Sequence, residues 1–398
     1  MRCHLCGTIL KKYIDLHQQP LANSLLSSPD EQDKVWYSAV WAWCPSCELL
    51  QLIDVPPAEV VYTASYPYKS SQSQFMNDHF RKTAQYLYDL YHLGNGKVIE
   101  IAVNTGGIIQ FLSCTVLGFE PAQACRPDLN SKGIPFHGDV FNNLSARATS
   151  SVWGQADLVY CANTLRSLKD LREIFESVLL VLKEDGVFVI EDPYLVNILD
   201  RNEWDQFYSE NVYGFTVTSM QHIARRYGME LIAVDPLPDN HGGSLRYHMA
   251  RKGARPVGHI EMMKGMNDEA AIPDKLATFQ QVIDDISTKF TVALSQLKRD
   301  GKRVVGYGAT AKAVTLLNYA NIGPDLIECI YDTTAEKWNK FIPGIKIPIL
   351  SADKFDEDDA HTVILFAYNH RREILSRENK KRQRRWLVYH PGVMYVTD

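Results

Sequence analysis

Four of the eight cysteines form two close pairs near the N-terminus, and each pair can offer two thiolates to one metal ion. The pairs are Cys3 with Cys6 and Cys44 with Cys47, both spaced as C-x-x-C. Two such turns complete the tetrahedral sulfur shell that zinc prefers and leave no position for a water molecule. We therefore predict a structural Zn²⁺ with these four ligands. A disulfide or a redox dithiol is the alternative interpretation, and it is disfavoured in a cytosolic chain whose first residues do not resemble a secretory signal.

A second group of candidates lies where two predicted strands end. The apolar run 97–103 leads into a loop with two glycines, and the next apolar run ends at Glu120. Ligands of open α/β sheets bind in the crevice beyond such strand ends. The pattern is typical of a class I S-adenosylmethionine site, although it also fits a glycine turn with a purely steric role. Ala102 and Val103 stand where small or flexible residues are expected. The candidate cofactor-binding residues are Glu100, Ala102, Asn104, Gly106 and Glu120.

A third glycine turn lies in the C-terminal part, where the apolar run that ends at Tyr307 leads into a helical pattern. Gly306 and Gly308 permit close backbone approach, and a helix N-terminus behind them favours a phosphate. The third glycine of a dinucleotide site is missing at the usual offset, which disfavours NAD. The turn also fits simple packing of a strand against a helix.

Composition places these sites in an ordinary globular chain. The 398 residues are 45% hydrophobic and 22% charged, which excludes a disordered or collagen-like protein and predicts more than one domain. The net charge of −5 argues against a general nucleic-acid or anionic-membrane binder. No apolar run reaches the roughly 18 residues of a membrane span. We expect a cytoplasmic protein with no nucleic-acid or membrane partner.

Strand-like and helical patterns alternate along most of the chain, which predicts α/β architecture with a parallel, doubly wound sheet. After the first glycine loop, a helical pattern continues toward Leu117. The basic run 380–385 is expected on a solvated helix face. The predicted divisions are a zinc-binding module at 1–58, a Rossmann-like α/β domain with the candidate S-adenosylmethionine site at 59–255, a helical connector at 256–300 and a second Rossmann-like α/β domain at 301–398.

Collinear motifs over essentially the whole chain resemble those of the sugar C-methyltransferases, which methylate C-3 of nucleotide-linked keto-deoxysugars. HGGSLR at 241–246 matches their H-G-G-S-x-R without change, and the cysteine pairs are similar to their N-terminal zinc domain. The other motifs that carry the resemblance are SYPYKSS (65–71), VIEIAVNTGG (98–107), FEP (119–121), NTLRSLKD (163–170), FYSENVYGFTVTSM (207–220), GYGATAKAVTLLN (306–318), IYDTTAEKWNKFIPGIKIP (330–348) and AYN (367–369).

The resemblance implies that a base removes the C-3 proton of a 4-keto sugar, and that the enolate attacks the methyl group of S-adenosylmethionine. A base must lie near the acidic carbon, and hydrogen-bond donors must stabilise the oxyanion. By position in the motifs, the implied catalytic residues are Tyr208, Glu210, His241, Tyr66 and Tyr68. Asn163 joins the cofactor-binding set. The implied substrate-binding residues are Ser244, Arg246, Tyr307, Lys312 and Asp332.

The chain departs from the family pattern at three histidine positions, which are Ser167, Ser209 and Asn211. Serine and asparagine cannot take up a proton near neutral pH, whereas histidine can. A tyrosinate or a Glu210 with a raised pKa can replace the lost base. A purely structural role in the pocket wall is the alternative for Tyr208, Glu210 and His241.

Two hypotheses arise from these departures. In the first, the protein keeps methyl transfer from S-adenosylmethionine to carbon of a nucleotide-linked keto-deoxysugar or a related carbonyl compound. In the second, the scaffold is repurposed as an isomerase, lyase, cyclase or non-catalytic binder. The retained cofactor and substrate motifs favour the first hypothesis, and the missing histidines favour the second.

Overall fold

The computed structural model describes residues 1–62, 74–240, 242–258, 268–380 and 382–397. In this part of the chain the strands form three sheets, of four, seven and six strands. None of its helices combines the length and the apolar character that crossing a lipid bilayer requires.

The N-terminal sheet is antiparallel and is built on a long hairpin. Its strands, in spatial order, are β1 (Lys11–Pro20), β2 (Trp36–Trp43), β3 (Leu50–Leu52) and β9 (Tyr213–Gly214). Side chains alternate between the two faces of a strand, and Ile14 and Trp41 are fully buried on the inner face. A short helix, α1 (Ala58–Val61), comes next. Because β9 comes from the middle of the chain, the module shares its sheet with the central domain.

The central sheet confirms the predicted parallel, doubly wound arrangement for five of its strands. In chain order its members are β4 (Lys97–Ile101), β5 (Thr115–Phe119), β6 (Phe136–His137), β7 (Ala156–Ala162), β8 (Leu182–Pro193), β10 (Met229–Leu237) and β11 (Ser244–Arg251). The spatial order is β6-β5-β4-β7-β8-β11-β10, and β11 runs antiparallel to both of its neighbours. The sheet is therefore mixed, with a reversed strand inserted before the last one.

Helices cover this sheet, and local sequence explains where several of them start. They are α2 (Gln74–Leu90), α3 (Arg126–Ser131), α4 (Asn143–Val152), α5 (Leu171–Val181), α6 (Leu195–Asp200) and α7 (Val217–Arg226). In α5 the buried residues Leu171, Ile174 and Val178 recur at helical spacing. Asp170 caps this helix by accepting a hydrogen bond from the backbone N–H of Glu173.

The connection between β4 and β5 corrects one prediction. Only a short 3₁₀ turn, Ile109–Phe111, stands where the sequence predicts a helix toward Leu117. Residues 102–107 form the glycine loop, and β5 already begins at Thr115, so too few residues remain for a regular helix. Leu117 itself lies in β5.

The long helix α8 (Ile272–Arg299) leads from the central sheet to the C-terminal domain. Its buried residues Leu276, Ile283 and Phe290 recur every seven positions, which keeps one face against the core. The C-terminal elements are β12 (Val304–Tyr307), α9 (Ala311–Tyr319), β13 (Ile330–Asp332), β14 (Ile349–Ser351), β15 (Thr362–Leu365), α10 (Arg371–Glu378), β16 (Trp386–Val388) and β17 (Met394–Val396). They form the order β14-β13-β12-β15-β16-β17, parallel except for β17.

The basic run 380–385 does not form the expected helix face in the described part of the chain. Helix α10 ends at Glu378, and the described residues of the run belong to the connection before β16. The guanidinium of Arg384 donates to the backbone carbonyls of Phe355 and Asp358. These bonds fix the connection to the rim of the C-terminal sheet, which a solvated helix face would not require.

The C-terminal domain is fastened to the central domain through Asp205. The hydroxyls of Tyr368 and Tyr389 each donate to this fully buried carboxylate, at 2.7 Å. His390 lies 3.2 Å from the same carboxylate, and these positive and polar neighbours hold the pKa of Asp205 below its ordinary value against the effect of burial. The two domains therefore meet at a fixed polar contact.

Candidate active site and zinc centre

The four predicted zinc ligands lie together. Their Sγ atoms are all within 4.8 Å of one another. Between the two turns, the Sγ atoms of Cys3 and Cys47 lie 3.6 Å apart, and those of Cys6 and Cys44 lie 3.4 Å apart. Zinc–thiolate bonds of about 2.3 Å in a tetrahedral site place the sulfur atoms about 3.8 Å apart. The cluster therefore fits one zinc ion after a small expansion.

Both cysteine turns have the same backbone geometry. Gly7 and Glu48, each directly after the second cysteine of its pair, have positive φ angles of 78° and 52°. Their N–H groups donate to the carbonyls of Cys3 and Cys44 at 3.0 and 2.9 Å. The side-chain amide of Gln51 donates to Sγ of Cys3 at 3.3 Å, the kind of contact that orients metal thiolates. Four sulfur ligands leave no open coordination position, so this zinc is structural.

The glycine loop after β4 is held by a carboxylate beneath it. Glu100 accepts hydrogen bonds from the backbone N–H groups of Ile108 and Ile109, at 3.2 and 3.0 Å. A Cβ atom on Gly107 would lie 1.7 Å from Oε1 of Glu100, so only glycine lets the loop close over this group. Burial raises the pKa of Glu100 well above its ordinary value. Glu100 therefore fixes the loop from beneath, and this close contact requires glycine at position 107.

Glu120, the predicted ribose ligand, lies at the end of β5 and is 4% exposed. Its two carboxylate oxygens accept the N–H groups of Asn104 and Ala122, at 2.7 and 2.8 Å. Burial raises the pKa of Glu120, and these two hydrogen bonds partly oppose that rise. Each oxygen keeps a second lone pair, so the group can still accept a ribose hydroxyl. Asn163, at the end of β7, also has a positive φ of 52° and lines the neighbouring cleft.

Ala102 and Val103 occupy the loop positions where small or flexible residues are expected. Ala102 adopts a φ of 55°, in the left-handed region that favours glycine, so the backbone retains a glycine-like shape. The side chain of Val103 is buried against β5, where a Cβ on Gly118 would lie 2.9 Å from its Cγ1 atom. Ala102 therefore preserves a glycine-like loop backbone, and the assignment of Asn104, Gly106 and Glu120 to the cofactor stays a prediction.

A cleft of about 380 Å³ lies between the three parts of the molecule. The central domain contributes Asn163, Pro193 and residues of the segment 206–211, while the N-terminal module contributes Asn23. The opposite wall is formed by the end of β12 and the start of α9. At this point β12 lies between β13 and β15, which makes it the switch point of the C-terminal sheet, where ligands of such sheets bind.

Glu210 is the acidic group on the central-domain side of the cleft. Its carboxylate accepts hydrogen bonds from the side-chain amide of Asn23 at 2.9 Å and from the hydroxyl of Ser209 at 2.8 Å. Burial raises the pKa of Glu210, and these two hydrogen bonds partly oppose the rise. Of the residues at the family's histidine positions, Asn211 and Ser167 also line the cleft, whereas Ser209 is buried behind Glu210.

Tyr208 lines the cleft beside Glu210. Burial raises the pKa of Tyr208, and the nearby positive charge of Arg166 opposes this rise. Three other predicted catalytic residues, Tyr66, Tyr68 and His241, lie outside the described residues.

The predicted substrate-binding residues fall into two groups. Tyr307, Lys312 and Asp332 line the cleft at the C-terminal switch point. Ser244 and Arg246 lie on β11 and are buried away from the cleft lining. Their contacts are internal, since Ser244 donates to the carbonyl of Asn240 and Arg246 forms an ion pair with Glu191 at 2.7 Å.

Three basic cleft residues were not singled out in the sequence. Arg166, Lys337 and Arg377 come from separate segments that only the fold brings together. Arg166 and Lys337 do lie within motifs that carry the family resemblance, which was the available signal. Arg377 lies in α10, outside every motif, so no sequence signal marked it as a cleft residue.

Comparisons with known proteins match all three parts of the chain. Residues 3–62 match a family model described as "Putative zinc binding domain", 74–234 a "Methyltransferase domain" and 239–391 a "C-methyltransferase C-terminal domain". The C-methyltransferase NovU of Streptomyces niveus is 26% identical over 388 residues, covering 95% of this chain and 92% of NovU. Together the three family models span most of the chain, and their descriptions are those of a S-adenosylmethionine-dependent C-methyltransferase with a zinc-binding domain.

Solved structures with partial likeness include a S-adenosylmethionine-dependent methyltransferase from Clostridium acetobutylicum, with 12% identity and a TM-score of 0.36 over 44% of this chain and 92% of that one. The PH0226 protein from Pyrococcus horikoshii is 18% identical, with a TM-score of 0.36 over 46% and 95% of the two chains. The strand order of the central sheet itself, with its reversed strand, is that of the class I methyltransferase fold.

This C-methyltransferase is a S-adenosylmethionine-dependent enzyme with a zinc-binding N-terminal module. It differs from the family pattern in having Ser167, Ser209 and Asn211 at the histidine positions. The residue at position 209 still donates a hydrogen bond to Glu210, and Asn23 donates a second one. The loss of the histidines therefore does not leave Glu210 without support.

Proposed function

We propose that this enzyme methylates a carbon atom next to the keto group of a nucleotide-linked deoxysugar or a related carbonyl compound. The observation that carries the proposal is the two-sided cleft. One wall offers the buried acid Glu210, and the other offers a helix N-terminus with the basic residues Lys312, Lys337 and Arg377. A nucleotide-linked keto sugar has the matching ends, an acidic C–H and a diphosphate.

The C-terminal wall supports the diphosphate end. Gly308 has a positive φ of 90°, and α9 starts three residues later with Ala311 and Lys312, which line the cleft and whose amides have no intrahelical acceptor. Lys337 lies 3.2 Å from Asp332, and Arg377 lies 2.7 Å from Glu378, so both cations are held at the rim by carboxylates. Helix amides and fixed cations together favour phosphate.

The central-domain wall supports the reacting end. Glu210 is the base in this proposal, because burial raises its pKa toward neutrality, where a carboxylate is a more effective proton acceptor. Tyr208 is the donor to the oxyanion, because its raised pKa keeps the phenol protonated at neutral pH. S-adenosylmethionine supplies an electrophilic methyl group when bound.

The proposed reaction balances through these residues. Glu210 accepts the proton from the carbon next to the keto group, and the C–H electron pair delocalises onto the keto oxygen, which Tyr208 stabilises. The enolate carbon would then form the new C–C bond with the methyl group while the sulfonium S–C bond breaks, so the leaving group is the neutral thioether and the carbonyl is restored. Asn211 and Ser167 line the same part of the cleft and can orient the keto oxygen.

The test is incubation with S-adenosylmethionine and nucleotide-linked 4-keto sugars, with mass spectrometry for addition of one methyl group. Glu210→Gln should lower kcat by about 100-fold or more, as loss of a general base does. In the wild type, kcat should rise with pH through a value above the ordinary range of glutamate, and this limb should vanish in the variant.

Glu173→Gln, a partly exposed acid on α5 that does not line the cleft, is the matched control and should change neither kcat nor its pH profile. An unchanged rate in Glu210→Gln would contradict the assignment of the base. Binding of S-adenosylmethionine without any methylated product from these substrates would instead favour the repurposed scaffold.

A further inference from the structure

Arg166 is a buried cation on the cleft wall, and within the described residues its side-chain hydrogen bonds reach neutral groups only. It lies in the 3₁₀ turn Leu165–Ser167 and is 7% exposed. Its Nη1 and Nη2 atoms donate to the side-chain and backbone oxygens of Gln206, at 3.4 and 3.2 Å. Its Nε atom has no hydrogen-bond partner in the described part of the chain. Each Nη atom also keeps a second N–H beyond these two bonds, so the hydrogen-bonding capacity of the guanidinium is not saturated within the described residues.

No carboxylate of the described residues forms an ion pair with Arg166 within 4.0 Å, whereas the other arginine and one lysine of the cleft have such partners. The positive charge of Arg166 lowers the pKa of the buried carboxyl of Asp192. Burial has the larger effect and raises that pKa to about 7, so Asp192 is only partly ionised at neutral pH. Among the described residues, Asp192 therefore supplies at most part of a negative charge to balance Arg166. Its carboxylate does not form an ion pair with the guanidinium.

A buried guanidinium without a paired anion is unfavourable, and an anionic ligand would supply the missing charge. The planar fork of arginine also matches the oxygen pairs of phosphate and carboxylate groups. Arg166 lines the same cleft as Lys312 and Tyr208, and its charge affects the pKa of both, so it lies near the groups that we assign to the phosphate end and to the reacting end of the substrate.

We propose that Arg166 binds an oxyanion of the substrate, and is thereby a specificity-determining residue of the cleft. The oxyanion is either a phosphate of the diphosphate or a carboxylate on the sugar. The inference rests on the proposed function, since it takes this cleft to be the substrate site.

The test compares wild type with Arg166→Gln by calorimetric titration with nucleoside diphosphates, UDP-glucose and UDP-glucuronate. The variant loses hydrogen bonds from a charged group to the ligand. The usual free energy of such bonds predicts about 10- to 100-fold weaker binding. Weaker binding of every ligand identifies the diphosphate as the partner. Weaker binding of the glucuronate alone identifies a sugar carboxylate. Equal affinity of both proteins for all of these ligands overturns the inference.

Melting temperatures separate ligand binding from a structural role. Ligand-free Arg166→Gln should melt at or above the wild-type temperature, because an unpaired buried charge has been removed. A lower melting temperature together with unchanged ligand affinity would show a purely structural arginine. Arg172→Gln, an exposed arginine paired with Glu176, is the control and should affect neither measurement.

Failure of the proposed function gives a different result. If the wild type binds none of the nucleotides, the proposed substrate class is wrong, and inorganic pyrophosphate then probes Arg166 directly. Pyrophosphate should raise the melting temperature of the wild type more than that of Arg166→Gln. Equal or absent shifts in the two proteins overturn the role of Arg166 independently of the nucleotide results.

Discussion

In both α/β domains, a carboxylate at the end of the second strand accepts a backbone N–H of the loop that follows the first strand. In the central domain, Glu120 accepts the N–H of Asn104 at 2.7 Å. In the C-terminal domain, Asp332 accepts the N–H of Ala309 at the same distance. The second oxygen of each acid accepts the N–H two residues further along the chain, at 2.8 Å in both domains. A shared hydrogen-bond pattern thus fixes two loops of unrelated sequence.

The domains differ in the element that the chain forms directly after the loop. In the central domain the chain forms only a 3₁₀ turn, and Glu100 accepts hydrogen bonds from the backbone N–H groups of Ile108 and Ile109. In the C-terminal domain a full helix begins, and the amides of Ala311 and Lys312 lack an intrahelical acceptor. Free first-turn amides suit a phosphate, whereas amides already bonded to a carboxylate do not. The difference supports a sulfonium cofactor in one site and a phosphorylated substrate in the other.

The largest predicted effect comes from closing either loop with one methyl group. Gly107→Ala brings a Cβ against Glu100, and Gly308→Ala brings one to 2.7 Å from Cβ of Ala367. Both positions have positive φ, so alanine is also strained there. Gly107→Ala should weaken S-adenosylmethionine binding by about 100-fold or more, and Gly308→Ala should do the same to nucleotide binding. Calorimetric titration of each variant with both ligands checks this.

Each variant is the control for the other, because each should retain the ligand of the unaltered domain. Loss of both ligands in either variant would show that the two sites are not independent. Gly133→Ala, at a positive φ but with no atom near its Cβ, measures the effect of backbone strain alone.

The second predicted effect is a pH dependence of stability that belongs to the central domain. Asp192 lies in the central sheet, and its pKa of about 7 exceeds the unfolded value of about 3.9. The native state therefore retains this proton while the unfolded state has lost it, so the free energy of unfolding should fall between about pH 4 and 7. The largest decrease is about 4 kcal/mol, and the curve should level above pH 7.

Asp192→Asn cannot ionise and should remove this pH dependence, which chemical denaturation at pH 5 and pH 8.5 measures. At pH 8.5 the variant should be more stable than the wild type. A variant that keeps the wild-type slope would show that other groups cause it. The C-terminal transition should be unaffected if the two domains unfold separately.

Features that depend on short stretches of sequence could be predicted from the sequence. The two C-x-x-C turns, the acids at Glu100 and Glu120 and the alternation of strands and helices are local, and the structure contains them where they were expected. The predicted division into four segments and the roles of the site residues remain predictions.

Features that depend on long-range packing were not accessible. The two-residue strand β9 has no sequence signal, yet it completes the zinc-module sheet. Arg166 acquires its significance only through burial at a wall shared by three parts of the chain. The helix predicted after the first loop was wrong for a simpler reason, since an apolar stretch cannot be assigned to a helix or a turn without counting the residues available.

The third predicted effect tests the carboxylates that fix the two loops, Glu120 and Asp332. Glu120→Gln removes one acceptor of the pair, because an amide NH₂ cannot accept a backbone N–H. We expect about 10-fold weaker S-adenosylmethionine binding with nearly unchanged nucleotide binding. Asp332→Asn should give the opposite pattern, and titration with both ligands measures the two ratios. Equal losses of both ligands in one variant would contradict separate roles for the loops.

The smallest effect tests the glycine-like backbone at Ala102. Its φ of 55° costs an L-residue about 1–2 kcal/mol, while glycine costs about 0.5–1 kcal/mol of additional unfolded-state entropy. Ala102→Gly should therefore raise the free energy of unfolding by about 0.5–1 kcal/mol and leave S-adenosylmethionine binding unchanged. Ala309→Gly, in the corresponding loop but without a positive φ, should lower it by a similar amount. Denaturant unfolding compares the two, and destabilisation by both glycines would show that the loop at Ala102 is not strained.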